Sequence, residues 1–219
     1  MESITCITPS LPEREEFRGQ CIRYVERFRR FNPYRRIEHI VEVGGTLSSL
    51  LGKMLPRVET DFIAIIEDDD VYTADYLEYQ IGNINHYGVS VMGMNPTVYY
   101  HLKWSAYTEI THNNRASLFT IVGRTNVIRP ALMSIVSESE EVPFIDYRLC
   151  QDLGDGRSGC IPHFNKAIGI KHNIIGRSSG KGHEWGNDRF ERKDDELEFL
   201  QNACGEEFIE FYKNMAETL

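Results

Sequence analysis

The sequence predicts a single-domain α/β protein whose mostly parallel central sheet is flanked by helices. One observation is the alternation of strand-like and helix-like segments on short connections over residues 3–87, which favours parallel strands joined by crossover helices. The other is size, because 219 residues, 41% of them hydrophobic, can bury one good core and leave little room for a second. We therefore expect residues 1–219 to form one domain.

The first unit is a strand followed by an amphipathic helix. Residues 3–8 are rich in β-branched side chains and predict a strand, which Pro9 and Pro12 end. Residues 13–31 carry apolar side chains at helical spacing, with arginines and glutamates on the other side. A strand, a polar turn and an amphipathic helix are typical of the start of a nucleotide-binding α/β unit.

Two further units follow. Residues 37–43 alternate apolar and polar side chains as a strand does, and residues 47–55 form a short periodic segment after a glycine pair. An apolar run after Asp61 is too short for a helix and predicts a buried strand, which leads into four consecutive acids. A helix is expected at residues 73–85, so the chain up to residue 87 follows a βαβαβα pattern.

The middle of the chain is less regular. Strands are expected at 88–94 and 115–122, and a helix at 127–136 with Pro130 in its first turn. Residues 95–114 interleave aromatic side chains with histidines in neither the strand nor the helix period. We expect irregular structure there, as core or as a lid.

The last third of the chain combines helices, a strand and two loops. We expect an acidic linker at 138–142, a helix at 143–153, a flexible loop at 154–159 and a final strand at 167–171 that ends at His172. Residues 174–184 are rich in glycine and include Arg177, Lys181 and His183, so this loop either closes over a ligand or is plainly disordered. An acidic helix or helix pair, divided at Gly205, is expected over 194–219.

Charge and cysteine content narrow the possible classes. The net charge of −9 is concentrated in residues 184–219, which carry 11 acidic and 4 basic side chains. Strong non-specific binding to nucleic acid is not predicted from this balance, although the eight arginines between Arg14 and Arg36 leave a local basic face open. The five cysteines show no CxxC spacing, which predicts neither a disulfide framework nor a zinc site.

The expected location follows from what the sequence lacks. The N-terminus has no signal-peptide features, and no apolar run approaches the roughly 18 residues of a membrane span. Scattered, unpaired cysteines fit a reducing compartment. We therefore expect a soluble cytoplasmic protein.

The acidic run at residues 67–70 is the strongest chemical signal. It follows a buried strand, and open α/β sheets bind their ligands at the carboxyl ends of their strands. Adjacent carboxylates repel one another, so keeping them ionised there calls for a cation, and oxygen ligands suit Mg²⁺ or Mn²⁺. The alternative is a solvated acidic turn or helix N-terminus.

Three short motifs occur in a telling order. They are ITPS at residues 7–10 with Arg14, LGK at residues 51–53, and IEDDDVY at residues 66–72. Their order and spacing resemble the nucleotide-sugar-binding half of GT-A (Rossmann-like) fold glycosyltransferases, specifically the inverting family 2 group with its DXD motif. The resemblance is good over residues 3–82 and loose beyond. Residues 99–118 are also similar to family members found in phages and bacteria, and a phage protein would work in the host cytoplasm.

The resemblance implies a metal-dependent hexosyl- or pentosyltransferase. Such an enzyme moves a sugar from a nucleoside-diphosphate sugar, here most of all a UDP-sugar, to an acceptor hydroxyl with inversion. Residues 1–87 would form the nucleotide-sugar-binding half, residues 88–183 the acceptor half and closing loop, and residues 184–219 an acidic helical tail. The acceptor stays open between a protein, a small molecule, a lipid-linked glycan and a modified base of phage DNA.

The resemblance also implies roles for individual residues. The nucleotide sugar would be bound by Thr8, Pro9, Ser10, Arg14, Lys53, Asp68 and Asp69. The DXD pattern is met by Glu67 with Asp69, or by the pair that begins one residue later. We favour the later pair, with Asp70 on the metal and Asp68 toward the ribose as well as in the metal site. His172 resembles the third metal ligand that some GT-A enzymes place after their final strand, and a histidine tilts the metal toward Mn²⁺.

Inverting transfer also needs a base for the acceptor hydroxyl. Asp146 resembles the acid that family members keep at the start of a helix after the acceptor strand, and Asp152 is the second choice. The family usually shows Glu-Asp at this place, whereas Ile145 precedes the aspartate here. The other interpretation of Asp146 is a charge that favours the start of a helix.

Two other functions are compatible with a similar sheet. A sugar-phosphate nucleotidyltransferase normally opens with a glycine-rich phosphate loop after its first strand, and the segment from Pro9 to Pro12 is not such a loop. A non-catalytic module that binds a nucleotide sugar or a protein would keep the fold without the chemistry.

Overall fold

A computed structural model describes residues 2–154, 156–161, 165–174 and 181–219. Within these ranges the helices are α1 (Glu15–Phe31), α2 (Leu47–Met54), α3 (Tyr76–Tyr87), α4 (Thr125–Val136), α5 (Ile145–Leu153), α6 (Glu198–Cys204) and α7 (Glu206–Glu217). The strands are β1 (Ile4–Ser10), β2 (Ile37–Val43), β3 (Phe62–Ile65), β4 (Val71–Tyr72), β5 (Val91–Met94), β6 (Thr97–His101), β7 (Ala106–Ile110), β8 (Val122–Arg124), β9 (Ser158–Ile161), β10 (Ala167–Lys171) and β11 (Arg192–Lys193).

The described strands form a central sheet and a second sheet beside it. The central sheet has six strands in the order β2-β1-β3-β8-β5-β9, and β8 runs antiparallel to both of its neighbours while the other three pairs are parallel. The second sheet has five strands in the order β11-β7-β6-β10-β4, of which only β6 and β10 are parallel. The fold is thus a single α/β domain with a mixed central sheet flanked by helices, which confirms the predicted class.

Strand β3 lies between β1 and β8 and is buried on both faces. Side chains alternate between the faces of a strand, so Phe62 and Ala64 join one hydrophobic cluster while Ile63 and Ile65 join the other. The first cluster includes apolar side chains of α1, α3 and α7, and the second includes those of α2, α4 and α5. Burial on both faces explains why the sequence of β3 is a continuous apolar run.

The aromatic segment at 95–114 is a hairpin of β6 and β7, not the irregular structure expected. Tyr99 and Tyr100 are both buried, on opposite faces of β6, so the strand has no polar face and shows no alternation. The expected strand at 115–122 begins only at Val122, after a short 3₁₀ turn. The expected loop at 154–159 gives way to β9, which pairs with β5.

Helix α4 starts earlier than expected, and Pro130 therefore lies inside the helix and not in its first turn. Helices α6 and α7 are separated at Gly205, as the sequence predicts. Across the described ranges, no helix combines the length and the apolar character needed to span a bilayer.

The acidic tail packs against the first helix. The ring of Phe208 in α7 stacks on the ring of Tyr24 in α1 with a centroid separation of 4.1 Å. Arg27 of α1 donates hydrogen bonds to the backbone carbonyl oxygens of Cys204 and Tyr72. The tail helices are therefore part of the domain's core, and Arg27 connects them to the strand that follows the acidic run.

Gly93 in β5 gives a direct test of the packing. A Cβ atom added there would lie 2.2 Å from the Cβ of Ala116, whose position is fixed by backbone. We expect Gly93→Ala to lower the free energy of unfolding by about 1–3 kcal/mol in a denaturant titration. Gly82 of α3 has no atom within 4 Å of such a Cβ, so Gly82→Ala should raise it by about 0.5–1 kcal/mol. Equal stability of the two variants would contradict this packing.

Candidate functional site

The acidic run lies in the interior, directly after β3. Asp68, Asp69 and Asp70 are only 2%, 3% and 2% exposed. The backbone N–H of Ile170 in β10 donates to Asp70 Oδ1 at 2.8 Å, so the run is held between the central sheet and the second sheet. Burying carboxylates is costly unless cations or hydrogen bonds compensate their charge. The solvated acidic turn is therefore not what the structure shows.

Asp68 is compensated by residues that follow β1. Arg14 Nη1 lies 2.8 Å from Asp68 Oδ1 and 3.1 Å from Asp69 Oδ2, and its guanidinium is buried with them. Ser10 donates its hydroxyl hydrogen to Asp68 Oδ2. Two motifs separated by more than fifty residues in sequence thus meet at one place. Both oxygens of Asp68 face this side of the site.

Asp69 is surrounded by two histidines on the other side. Its Oδ2 atom lies 3.3 Å from His172 Nε2 and 3.8 Å from His183 Nε2. These three residues form one group that could hold a metal ion, and Glu67, Asp69 and Asp70 form a second, each with ligand atoms within 4.8 Å of one another. Asp69 is the residue that the two groups share. Asp68 belongs to neither of them.

The protonation states of these carboxyls differ sharply. Burial raises the pKa of Glu67 to about 7, with the Asp69 charge adding to the effect. Burial likewise raises the pKa of Asp70 well above its ordinary value, and Asp69 and Glu67 add to it. For Asp69, Arg14, His172 and His183 outweigh burial and lower the pKa. The charged forms of Glu67 and Asp70 are therefore disfavoured here, and a divalent cation between the carboxylates would offset that cost.

Two buried side-chain atoms without a hydrogen-bond partner in the described part of the chain are also consistent with a bound cation. Asp70 Oδ2 is buried and has no hydrogen-bond partner among the described residues. His172 Nε2 is also buried and makes no well-aligned hydrogen bond within those ranges, although it faces Asp69. Buried polar atoms almost always have a partner, so such an arrangement requires an explanation. An ion between these side chains would supply one, and the oxygen and imidazole donors suit Mn²⁺ or Mg²⁺.

The orientation of the two histidine rings limits how they could bind a metal ion. The backbone N–H of Ile174 donates to His172 Nδ1 at 3.2 Å, and that of His172 donates to His183 Nδ1 at 3.3 Å. Because Nδ1 accepts in both rings, the neutral form of either ring carries its hydrogen on Nε2, which faces Asp69. Metal-bound histidines usually donate from the other ring nitrogen. Ligation through Nε2 thus requires these two N–H contacts to be released, whereas the three carboxylates need no such change.

A cleft of about 660 Å³ opens beside Asp68. It is lined by the end of β1, the start of α2, the acidic run and residues 141–143. Pro9, Ser10, Arg14 and Asp68 all line it, and Leu47, Leu50, Val142 and Pro143 give it an apolar wall. Ligand pockets combine such apolar walls with a few convergent polar groups. The cleft has a suitable size and chemistry for a nucleoside.

Three of the expected donor-binding residues, Thr8, Lys53 and Asp69, do not line this cleft. Thr8 lies in β1, and its buried hydroxyl contacts His39 Nε2 at 2.9 Å. Lys53 is exposed in the last turn of α2. Arg177 and the side chain of Lys181, expected in a closing loop, lie outside the described residues. Asp69 lies deeper in the site, with the histidines.

Asp146 lies in the first turn of α5, as the sequence predicts. Arg115 Nη1 contacts both of its carboxylate oxygens, at 3.0 and 2.9 Å, and the N–H of Tyr147 donates to Oδ1 at 2.9 Å. Burial raises the pKa of the Tyr99 phenol, and the charges of Asp70, Glu67 and Asp146 act in the same direction. Asp152, further along α5, is exposed.

The sequence did not single out every residue that the structure brings to the site. His183 was expected only in a loop over a ligand, whereas it lies beside Asp69. Arg115 was assigned to a strand, whereas it pairs with Asp146. Neither position has a local sequence signal, because both contacts join segments that are distant along the chain.

No family model matches the chain, and no curated protein matches it. Among solved structures, S. aureus TarS 1–349 in complex with UDP-GlcNAc matches with a TM-score of 0.55 at 10% identity, over 84% of this chain and 61% of that chain. TarS 1–349 in complex with UDP gives a TM-score of 0.51 at 10% identity, over 78% and 61%. The bifunctional IspDF from Campylobacter jejuni gives 0.48 at 11% identity, over 76% and 51%, which is too low to carry an argument.

At this identity the likeness to TarS shows the fold alone. The chain spans about three fifths of the TarS fragment that it matches, since 61% of that fragment is covered. The protein therefore shares the α/β fold of a protein that has been crystallised with a nucleotide sugar. Its own reaction and ligands have to be argued from its site.

Proposed function

We propose that the protein is a metal-dependent glycosyltransferase that moves a sugar from a UDP-sugar to an acceptor hydroxyl with inversion. One observation carries the proposal: three buried aspartates follow β3, and the first of them, Asp68, lines a cleft of nucleoside size. Ligands of open α/β sheets bind at this end of the strands. The UDP-GlcNAc and UDP complexes of TarS, a protein of the same fold, support a uridine nucleotide as the donor's carrier.

The donor would lie in the cleft between the β1 loop and α2. Pro9 and Ser10 border it, and Asp68 would accept hydrogen bonds from the ribose hydroxyls. Arg14 would exchange part of its contact with the aspartates for the diphosphate, because guanidinium groups bind carboxylates and phosphates in the same way. Lys53 would act on the nucleotide through its charge from a longer distance. Thr8 would contact the nucleotide through its backbone.

A Mn²⁺ or Mg²⁺ ion bound beside Asp69 would supply the positive charge that stabilises the departing diphosphate. Asp69 offers an oxygen to it in either group, together with Asp70 in one group and His172 in the other. Glu67 or His183 would complete the set, depending on which of the two groups holds the ion. The favoured register, Asp68 with Asp70, keeps Asp70 as a ligand but leaves Asp68 outside both groups, where it would face the ribose. The other register, Glu67 with Asp69, has both of its acids in one group.

Asp146 is the base in this proposal. The bond between the anomeric carbon and the diphosphate breaks while the acceptor oxygen bonds to the opposite face of that carbon. The acceptor's proton passes to Asp146, and the nucleoside diphosphate leaves. Arg115 fixes the orientation of the carboxylate through both oxygens.

The alternatives are less well supported. A nucleotidyltransferase would cradle its triphosphate in a glycine-rich loop after β1, but the chain there forms a 3₁₀ turn that begins at Pro12. A non-catalytic binding module would have no use for an acid that an arginine holds in place beside another cleft. Such a module would bind the nucleotide sugar and never release a nucleoside diphosphate.

A nucleotide screen tests the proposal. We expect UDP to raise the melting temperature in the presence of Mn²⁺, and GDP, CDP and dTDP to do so less. A ligand at a hundred times its Kd stabilises a protein by about 2.7 kcal/mol, which a thermal-shift assay detects readily. Calorimetry should show that the same titration without the metal binds far more weakly. If none of the four nucleotides binds with Mn²⁺, the transferase proposal fails.

A further inference from the structure

A second cleft, of about 390 Å³, lies beside the Arg115–Asp146 pair. Its described lining residues are Thr111, His112, Asn113, Arg115, Phe144 and Tyr147. Phe144 and Tyr147 flank Asp146 in sequence, and they are 70% and 41% exposed. Exposed apolar side chains that lie together at a cleft are typical of ligand-binding surfaces, and these two rings line the same cleft.

Phe144 is also held in a strained backbone conformation. Its φ of 54° lies in the left-handed region, which a bulky residue adopts at a cost of about 1–3 kcal/mol. Its carbonyl oxygen accepts the N–H of Arg148 at 3.1 Å, which fixes it at the start of α5. In this conformation the apolar ring of Phe144 is exposed to solvent next to the proposed base. Strain of this kind collects at ligand sites.

Tyr147 is oriented by its own helix. Gln151 Nε2 donates to the Tyr147 hydroxyl at 2.6 Å, so the ring is held on the exposed side of α5. The backbone N–H of the same tyrosine donates to Asp146. The two rings and the carboxylate are therefore set by one helical turn.

A third cleft, of about 810 Å³, continues from the second and shares His112 and Asn113 with it. Among the described residues its polar lining consists of Asn95, His112, Asn113, Asn114, Gln151 and Ser158. No Asp, Glu, Lys or Arg is among the described residues that line it. Burial, with Arg115 nearby, lowers the pKa of His112, so this ring is neutral at pH 7. Amide and hydroxyl groups of this kind suit the hydroxyls of an uncharged ligand.

The charged side chains of this region argue against a polyanion as the acceptor. Glu138, Glu140 and Glu141 are exposed on the linker that leads into α5. Arg115 is engaged by Asp146, and Arg148 by Glu138. A nucleic acid or another phosphate-rich chain would meet no cation among the described residues that line the third cleft.

We propose that the acceptor is an uncharged sugar, bound with the C–H face of its ring on Phe144 and Tyr147 and with one hydroxyl toward Asp146. The negatively charged faces of aromatic rings attract such C–H groups, and the third cleft offers hydrogen bonds to the next residue of a glycan. This inference rests on the proposed transferase function, for which it names the acceptor class.

Ligand-observed saturation-transfer NMR tests it on the whole protein. The probes are the methyl glycosides of glucose, galactose and N-acetylglucosamine, together with chitobiose and cellobiose. Sorbitol serves as a polyol without a ring, and a single-stranded dodecanucleotide serves as a polyanion. We expect saturation of ring protons in at least one glycoside, and weaker signals from sorbitol and the oligonucleotide. If no glycoside is saturated, or if the oligonucleotide binds best, the inference is overturned.

The decisive variant is Phe144→Gly, because glycine adopts a positive φ freely. It should weaken glycoside binding at least tenfold while the melting temperature stays equal or rises, so lost binding cannot be attributed to unfolding. Tyr147→Ala should also weaken binding, and Tyr34→Ala, which removes a ring that is 81% exposed elsewhere, should not. Unchanged glycoside binding in Phe144→Gly overturns the inference.

A measurement of UDP binding distinguishes a failure of the acceptor inference from a failure of the proposed transferase function. In all of these variants UDP with Mn²⁺ should give the wild-type thermal shift. If the wild-type protein shows that shift and binds no glycoside, only the acceptor inference fails. If it lacks the shift, the transferase function itself fails.

Discussion

Replacing Asp69 by asparagine should abolish metal-dependent nucleotide binding. Asp69 is the residue that belongs to both groups able to hold an ion, and its low pKa keeps it charged. Asparagine removes that charge and one oxygen donor. Changes that merely disturb a ligand's surroundings weaken metal binding by about 10–100-fold, so loss of the ligand should exceed about 100-fold. Mn²⁺ titrations by calorimetry, followed by UDP titrations at saturating Mn²⁺, measure both effects.

Two companion variants distinguish the possible registers of the motif. Asp70→Asn should weaken Mn²⁺ binding, whereas Asp68→Asn should weaken UDP binding and leave Mn²⁺ affinity close to that of the wild type. Asp61→Asn is the matched control, because this aspartate precedes β3 at the opposite end and bonds to Ser3. A folded Asp69→Asn protein that still binds UDP only with Mn²⁺ would refute the assignment of Asp69.

Replacing Asp146 by asparagine should stop sugar transfer and spare donor binding. Asparagine keeps the shape of the side chain but cannot take the acceptor's proton, and loss of a general base slows a reaction by about 10²–10⁴-fold. Release of UDP from a UDP-sugar, in the presence of a glycoside that the protein binds, measures the rate. The UDP affinity with Mn²⁺ should match that of the wild type, because Asp146 does not line the donor cleft.

The control for this variant lies on the same helix. Asp152 is exposed in α5, and Asp152→Asn should leave the rate unchanged. Arg115 loses its partner in Asp146→Asn, but a quarter of its side chain is exposed, so solvent should limit the loss of stability. Turnover that survives in Asp146→Asn and disappears in Asp152→Asn would transfer the role of base to Asp152.

Local patterns predicted those parts of the fold that depend on neighbouring residues. The strand at residues 37–43 has the bounds of β2, and the apolar run before the acids is β3, because burial on one or both faces leaves a direct mark on the sequence. The break at Gly205 was equally visible. The position of the acids at the end of a buried strand follows from the same reasoning.

Other features depend on pairings that no local pattern encodes. The hairpin of β6 and β7 was missed because Tyr99 and Tyr100 are both buried, on opposite faces of β6. The antiparallel insertion of β8 between β3 and β5 is a matter of topology, not of composition. His183 and Arg115 reach Asp69 and Asp146 only through the return of distant segments. Residue type can suggest such partners, but it cannot bring them together.

The stacking of α7 on α1 has a consequence for how the protein is made. Tyr24 meets its partner Tyr212 across a separation of 188 residues, and Phe208 covers the same face of α1. Translation at about 5–20 residues per second needs on the order of ten to forty seconds to add that much chain. During this time the part of α1 that Tyr212 and Phe208 cover lacks those two partners. A chaperone that shields this part of α1 would therefore find its target in the nascent chain.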